Sequence, residues 1–206
     1  METDPLERIR RYFSDNGLDL QKACVKASEK AAHIIDNREY ESIYICLREY
    51  PMETPRPRTF NGHTFSPNAA ANKRYFEKAI KQVVSDISRI YTPAEVRIDA
   101  YIETPSNVPP DEVILYEAKL LHVLGKSDVD NLAKSYLDMM TDVLTTDDDL
   151  FYHLDIYKWY SLEPRVEIRI TYETALESDY LYKKLKTRKT IKALLKSGQI
   201  ELKKLQ

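Results

Sequence analysis

Glycine is nearly absent. Four glycines in 206 residues leave no G-x-G-x-x-G and no Walker-type run, which excludes the glycine-rich loops that cradle nucleotide phosphates. Cysteine is scarcer still. Cys24 and Cys46 stand far apart, so neither a zinc ribbon nor a disulfide framework is available, and a reducing compartment is expected. His33, His63, His122 and His153 are scattered without metal-ligand spacing, so no zinc site is expected. No apolar run approaches the roughly 18 residues of a membrane span. The first residues, with Glu2, Asp4 and Glu7 among arginines, do not form a secretory signal. A soluble cytoplasmic protein is the expectation. Charge of one sign is lacking too, since 31 Lys and Arg face 33 Asp and Glu for a net charge of -2. What is present is a hydrophobic content of 43%, ordinary for a globular core, in a length that suits one domain with extensions or two small ones.

The near-neutral total hides an asymmetry. Between Tyr180 and Gln206, nine Lys and Arg face only Glu201, so a tail of +8 is joined to a body of -10. A basic tail on an acidic body is the charge split of nucleic-acid binders, with Lys183, Lys184, Lys186, Arg188 and Lys189 as phosphate contacts. The same segment carries Leu181, Leu185, Ile191, Leu194 and Leu195, which equally fit an amphipathic helix docked on the body.

Three regions are expected. Residues 1–38 read as a helical hairpin packed on the main domain: Pro5 suits a first turn, Leu6, Ile9, Tyr12 and Phe13 form a stripe, Asp15-Asn16-Gly17 breaks it, and a second stripe runs from Leu20 to Ile34 or Ile35. Residues 39–173 read as an α+β domain with a mixed sheet and packed helices. Its strands are expected at Ile43–Tyr50, Val96–Glu103, Phe151–Trp159 and Val166–Tyr172. A hairpin is expected around Asn61-Gly62. One helix carries the stripe Phe76, Ile80, Val83, Ile87 and Ile90, and a second runs from Ser127 to about Leu144. Asp111–Leu124 reads as an apolar, mainly helical insertion. Residues 174–206 form the basic helical tail.

Chemistry concentrates in two acidic segments. Asp128-Val-Asp130-Asn131, with Lys134 one helical turn on, opens the second helix, and Asp147-Asp148-Asp149 closes the loop after it. Carboxylates that converge repel one another unless they share a hard cation, for which Mg²⁺ is suited. Such ions activate water and stabilise the leaving oxygen in phosphodiester hydrolysis, and Lys134 could neutralise charge building on the phosphate. The plainer alternatives are a helix cap at Asp128, a surface pair between Asp130 and Lys134, and a solvated turn at Asp147–Asp149. An EF-hand is a worse alternative, because Ala133 falls where its loop requires glycine. The second acidic segment meets the first only if the sheet returns it beside the helix's first turn.

Ser127-Asp128-Val-Asp130-Asn131-Leu-Ala-Lys134, then Leu137-Asp138, Asp147-Asp148 and Lys158, together resemble the RusA family of Holliday-junction resolvases. Upstream, Pro55-Arg56-Pro57-Arg58, Asn61-Gly62 and Ser66-Pro67 are similar to that family's proline-arginine loop and hairpin, so the resemblance covers about residues 43–172. It implies a RusA-like fold and a homodimeric crossover junction endodeoxyribonuclease that uses Mg²⁺, with Mn²⁺ as an alternative ion. Branched DNA, the four-way junction, is the implied substrate, in recombination, repair or phage DNA processing inside a bacterial cell or phage-infected host. By position, Asp128, Asp130 and Asp148 match the metal-binding catalytic carboxylates, Asp147 matches the partner of the acidic pair, and Lys134 matches the essential lysine. Arg56, Arg58 and Lys126 join the tail as expected DNA contacts. The chain departs from the family pattern at Asp149-Leu150, which replaces a small residue and Gln, and in its insertion at about 106–124. Two rival functions are a catalytically silent branched-DNA-binding module and a flap or branched-DNA nuclease.

Overall fold

The computed structural model describes residues 4–49, 51–52, 58–60, 63–65, 69–83, 89–125, 127–141 and 143–205. They form two units, an N-terminal one ending at Arg38 and a larger one, Glu39–Lys204. The N-terminal unit holds α1 (Pro5–Asp15) and α2 (Leu20–Asn37). Each begins as its sequence demands. The Asp4 carboxylate accepts from the Leu6 N–H with Pro5 in the first turn, and the Asp19 carboxylate accepts from the Lys22 N–H. Gly17 separates them at a φ of +61°, where a side chain is strained. Neither helix buries a residue, and Leu6, Ile9 and Tyr12 of the first stripe are exposed.

The larger unit runs β1 (Tyr40–Leu47), β2 (Arg58–Phe60), β3 (His63–Phe65), α3 (Ala69–Val83), β4 (Ala94–Glu103), α4 (Pro110–Glu117), α5 (Val129–Met140), β5 (Phe151–Ser161), β6 (Arg165–Glu173), α6 (Asp179–Thr187) and α7 (Lys189–Lys196). Four strands form a sheet in the order β1-β6-β4-β5. β6 lies antiparallel to β1 and β4, while β4 and β5 are parallel, so the sheet is mixed and the fold is α+β. β2 and β3 make a separate hairpin pairing Arg58 with Phe65; Asn61 and Gly62, expected at its turn, lie outside the described residues.

Alternation decides which sheet face is dry. Val96, Ile98 and Ala100 of β4, Val166, Ile168 and Ile170 of β6, and Ile45 and Leu47 of β1 are buried against Phe76 and Ile80 of α3 and Leu132, Tyr136, Met139 and Met140 of α5. Each Val, Ile, Leu, Phe or Met among them contributes about 1.5–3 kcal/mol by leaving water. Tyr136 keeps its hydroxyl satisfied by accepting from the Met52 N–H at 2.9 Å. The opposite face is polar, with Arg97 paired to Asp99 at 2.7 Å and the Trp159 Nε1–H donating to the same carboxylate at 2.9 Å.

Some boundaries differ from the sequence expectation. Ile90 does not extend the α3 stripe; its N–H donates to the Leu144 carbonyl and it forms a bridge with Thr145. Ile87 lies outside the described residues. α5 stops at Met140 rather than near Leu144, because Thr141 turns to an extended ψ of 134° and Leu144 folds into the core instead. Within the insertion only Pro110–Glu117 is helical, and that helix buries no residue.

The C-terminal helices belong to the same unit as the sheet. Ser178 caps α6 by accepting from the Leu181 N–H. Leu176, Leu185, Ile191, Leu194 and Ile200 are buried with Tyr91 in a second apolar cluster, flanked by Leu181 and Leu195. The Lys203 N–H donates to the Tyr91 hydroxyl, and the Leu176 N–H donates to the Lys203 carbonyl. The docked helix foreseen for this segment is therefore present, with its lysines on the outer face.

Candidate active site

The first acidic segment sits where α5 begins. Asp128 occupies the capping position, yet its side chain makes no cap hydrogen bond, so the plain capping role is not realised. Asn131 Nδ2 lies 3.5 Å from its Oδ2. Asp130 is in the first turn, where the helix N-terminus favours a negative charge. Lys134 follows one turn later, and all three are exposed. The loop before them is shaped by two residues with positive φ, Gly125 at +69° and Ser127 at +54°. Serine in that region costs about 1 kcal/mol or more and needs support from its surroundings. Lys158 of β5 supplies some: its Nζ donates to the carbonyls of Gly125 at 2.8 Å and Ser127 at 3.0 Å.

The second segment precedes β5. Asp147 is extended, and Asp148–Leu150 make a single 3-10 turn. Burial raises the Asp147 carboxyl above its ordinary range, with further upward pressure from its hydrogen bond to Asp148 and the charge of Asp149. Asp149 goes the other way, because Arg188 hydrogen-bonds and ion-pairs with it. Arg188 Nη1 donates to Asp149 Oδ1 and Asp147 Oδ2, both at 3.1 Å, and Nη2 donates to Asp149 Oδ2 at 2.6 Å.

The two segments do not meet within one chain. α5 crosses back between parallel β4 and β5, so its first turn lies at the C-terminal end of β5, beside Lys158. Asp147–Asp149 lie at the strand's N-terminal end. At about 3.3 Å per residue, Phe151 and Lys158 are roughly 20 Å apart. The return that would have joined the carboxylates is absent, and among the described residues no group of three His, Cys, Asp or Glu could hold a metal ion.

The other expected contacts divide. Arg56 and Lys126 lie outside the described residues, and Arg58 opens β2. Lys183, Lys184, Lys186 and Lys189 are exposed. Arg188, expected to face phosphate, is half-buried and gives both Nη groups to the acidic loop. Sequence reasoning missed the Arg188–Asp149 pair. The signal was there in three consecutive carboxylates at Asp147–Asp149, whose repulsion calls for a cation.

Residues 49–171 match the family model described as Endodeoxyribonuclease RusA. The chain belongs to that family, which makes it a nuclease by class. It is also similar to the "Uncharacterized protein YqaN" of Bacillus subtilis (strain 168), with 31% identity over 127 residues covering 58% of this chain and 89% of the relative. The matched family span includes both acidic segments and Lys134 and ends before α6. No helix of the described residues is long and apolar enough to cross a membrane.

Proposed function

We propose that the protein is a homodimeric, divalent-metal-dependent endonuclease that resolves four-way DNA junctions by paired phosphodiester hydrolysis, in the cytoplasm of a bacterial or phage-infected cell. The observation that carries the reading is the set of exposed carboxylates at Asp128, Asp130 and Asp148, with Lys134, inside the span that matches a DNA endonuclease family. The donors are all carboxylate oxygens, which suits Mg²⁺, or Mn²⁺ in its place, and not zinc. Their separation in one chain means that the donor set fits an ion only when two chains contribute.

A second copy can contribute. β5 is an edge strand among the described residues, 11 residues long, with Tyr152, Leu154 and Tyr157 exposed. Such an edge is a template for another strand. Antiparallel pairing of two β5 strands about Leu154 sets the start of one beside the end of the other. Asp148 of each copy then approaches Asp128 and Asp130 of its mate, with Asp147 alongside. Two such sites related by a two-fold axis suit a junction of near two-fold symmetry.

Asp128, Asp130 and Asp148 would hold the ion, which supplies an activated water and polarises the scissile phosphate. Lys134, on the helical face of Asp130, offsets charge building on the phosphate. Exposed Lys183, Lys184, Lys186 and Lys189 contact phosphates and so position the junction without reading sequence.

Mixing variants tests the shared site. Asp128→Asn and Asp148→Asn homodimers should each be inactive on a synthetic four-way junction in Mg²⁺. In a co-expressed heterodimer of the two, one site carries both changes and the other carries neither. Single-strand nicking should return without paired cuts. Mixtures that stay inactive despite proven heterodimer formation would overturn the shared site, and full activity of either homodimer would overturn the assignment of its carboxylate.

A further inference from the structure

The matched family span ends at residue 171, before the C-terminal helices, one corner of which reaches the acidic loop. Arg188 stands at the corner between α6 and α7, capping the end of one and the start of the other. Its backbone is held from both sides by the buried cluster of Leu185, Ile191 and Leu194. The guanidinium reaches from that corner to the loop before β5. It clasps both oxygens of Asp149 and one oxygen of Asp147, and among the described residues its bonds do not go to Asp148.

We infer that Arg188, supplied by the C-terminal extension, is a positioning residue that holds Asp147 and Asp149 so that Asp148 alone is presented to the metal and DNA. The inference rests on the reading of Asp148 as a metal-binding carboxylate. Three features support it. First, a two-pronged guanidinium–carboxylate contact fixes direction as well as distance, which a point charge does not. Second, three consecutive carboxylates, extended Asp147 and then Asp148 and Asp149 in a 3-10 turn, repel one another, and such a turn has weak hydrogen-bond geometry of its own. The cation answers the charges flanking Asp148 and leaves that carboxylate unclaimed by the guanidinium. Third, the two halves of the device come from different parts of the chain. Asp149 lies inside the matched family span, and its partner Arg188 lies beyond it. The acidic loop and the C-terminal helices are thus tied together through this pair.

The test uses the full-length protein with Arg188→Ala, Arg188→Lys, Asp149→Asn and Asp148→Asn. Mn²⁺ affinity is measured by calorimetry without DNA, and cleavage of a four-way junction is resolved into kcat and KM. Residues that orient metal ligands typically contribute 10–100-fold to metal affinity or activity. Arg188→Ala should therefore weaken Mn²⁺ binding about tenfold and lower kcat comparably at unchanged KM. Lysine should recover only part of this, because it keeps the charge without the fork. The double variant of Arg188→Ala with Asp149→Asn should be no worse than Arg188→Ala alone. If Arg188 only competes with the cation, Arg188→Ala binds Mn²⁺ more tightly. If it only anchors the helices, thermal stability falls while Mn²⁺ affinity and kcat of the folded protein stay unchanged. Either result overturns the inference. Should Arg188→Ala fail to fold, Arg188→Lys and Asp149→Asn carry the same comparison. Loss of both readouts in Asp148→Asn with a wild-type Arg188→Ala would sink this inference alone. Retention of both in Asp148→Asn would sink the site on which it rests.

Discussion

Asp128–Asp130 and Asp147–Asp149 are similar in composition and opposite in circumstance. The first pair stands exposed at a helix N-terminus, where the backbone itself provides a positive end. Its loop is pinned through carbonyls by Lys158, and the Asp128 carboxylate accepts only a long bond, 3.5 Å, from neighbouring Asn131. The second group sits before a strand with no such helix start, and it is steadied through its carboxylates by Arg188. One acidic segment is thus held through its backbone carbonyls by a side chain about 30 residues away, while the other is held through its carboxylates by a side chain about 40 residues away. The comparison separates carboxylates that the Arg188 guanidinium grips from carboxylates that it does not. By that criterion Asp128, Asp130 and Asp148 belong together, and Asp149 does not.

The largest expected effect tests that division. Replacing Asp128 or Asp148 by Asn should lower junction cleavage by more than ~100-fold, exceeding what orienting residues contribute. Junction affinity in EDTA should stay equal or tighten, because a negative charge near phosphate is removed without loss of volume. Asp149→Asn should cost about tenfold. Equal losses in all three variants, measured as single-turnover rates, would erase the distinction between binding and holding carboxylates.

A second effect sharpens the contrast through the fold. Ile191 is fully buried beneath the corner that carries Arg188. Ile191→Ala should destabilise the larger unit by about 2–5 kcal/mol, the usual range for emptying such a site. Amide exchange should rise at Asp147–Leu150, which depends on that corner, and change little at Asp128–Asp130, which does not. The experiment is denaturant unfolding combined with exchange mass spectrometry. Uniform loosening of both segments would show that they share one support.

Much of this was legible in the sequence, and the reasons are local. β4 and β6 announced themselves by strict alternation, since a half-buried strand must alternate. α5 showed its buried stripe, and the acidic motif at its start was visible as chemistry. The C-terminal lysines were visible too; their helices pack as the docked alternative expected, with the lysines exposed, and the phosphate contacts stand as a proposal. What stayed hidden depended on long-range placement. Sequence spacing could not show whether the sheet returns Asp147–Asp149 to Asp128, because that depends on β4 and β5 being parallel. Nor could it assign Arg188 to Asp149 among nine basic residues. The stripe continuing to Ile90 misled for the same reason: periodicity marks which residues are apolar, while a bridge to Thr145 decided where Ile90 is buried.

The smallest effect concerns acid. Arg188, by its hydrogen bond and charge, holds the Asp149 carboxyl below the ordinary 3.8. A depressed carboxylate contributes stability that is present above the unfolded value and is lost as pH falls through the folded one. Asp147 acts with the opposite sign. Burial, then Asp148, then Asp149 raise it, so its ionised form is disfavoured in the fold and acidification towards 3.8 relieves that cost. Both side chains are substantially exposed, at 51% for Asp149 and 43% for Asp147, which keeps each contribution small. In wild type the two partly cancel as pH drops towards 3.8, and below it the loss of the Asp149–Arg188 pair dominates. Asp149→Asn lacks that pair at every pH. The melting-temperature advantage of wild type over Asp149→Asn should therefore persist above 3.8 and shrink as pH is taken down to about 2.5. An advantage that stays constant across that window would mean that Arg188 does not hold Asp149 through its charge.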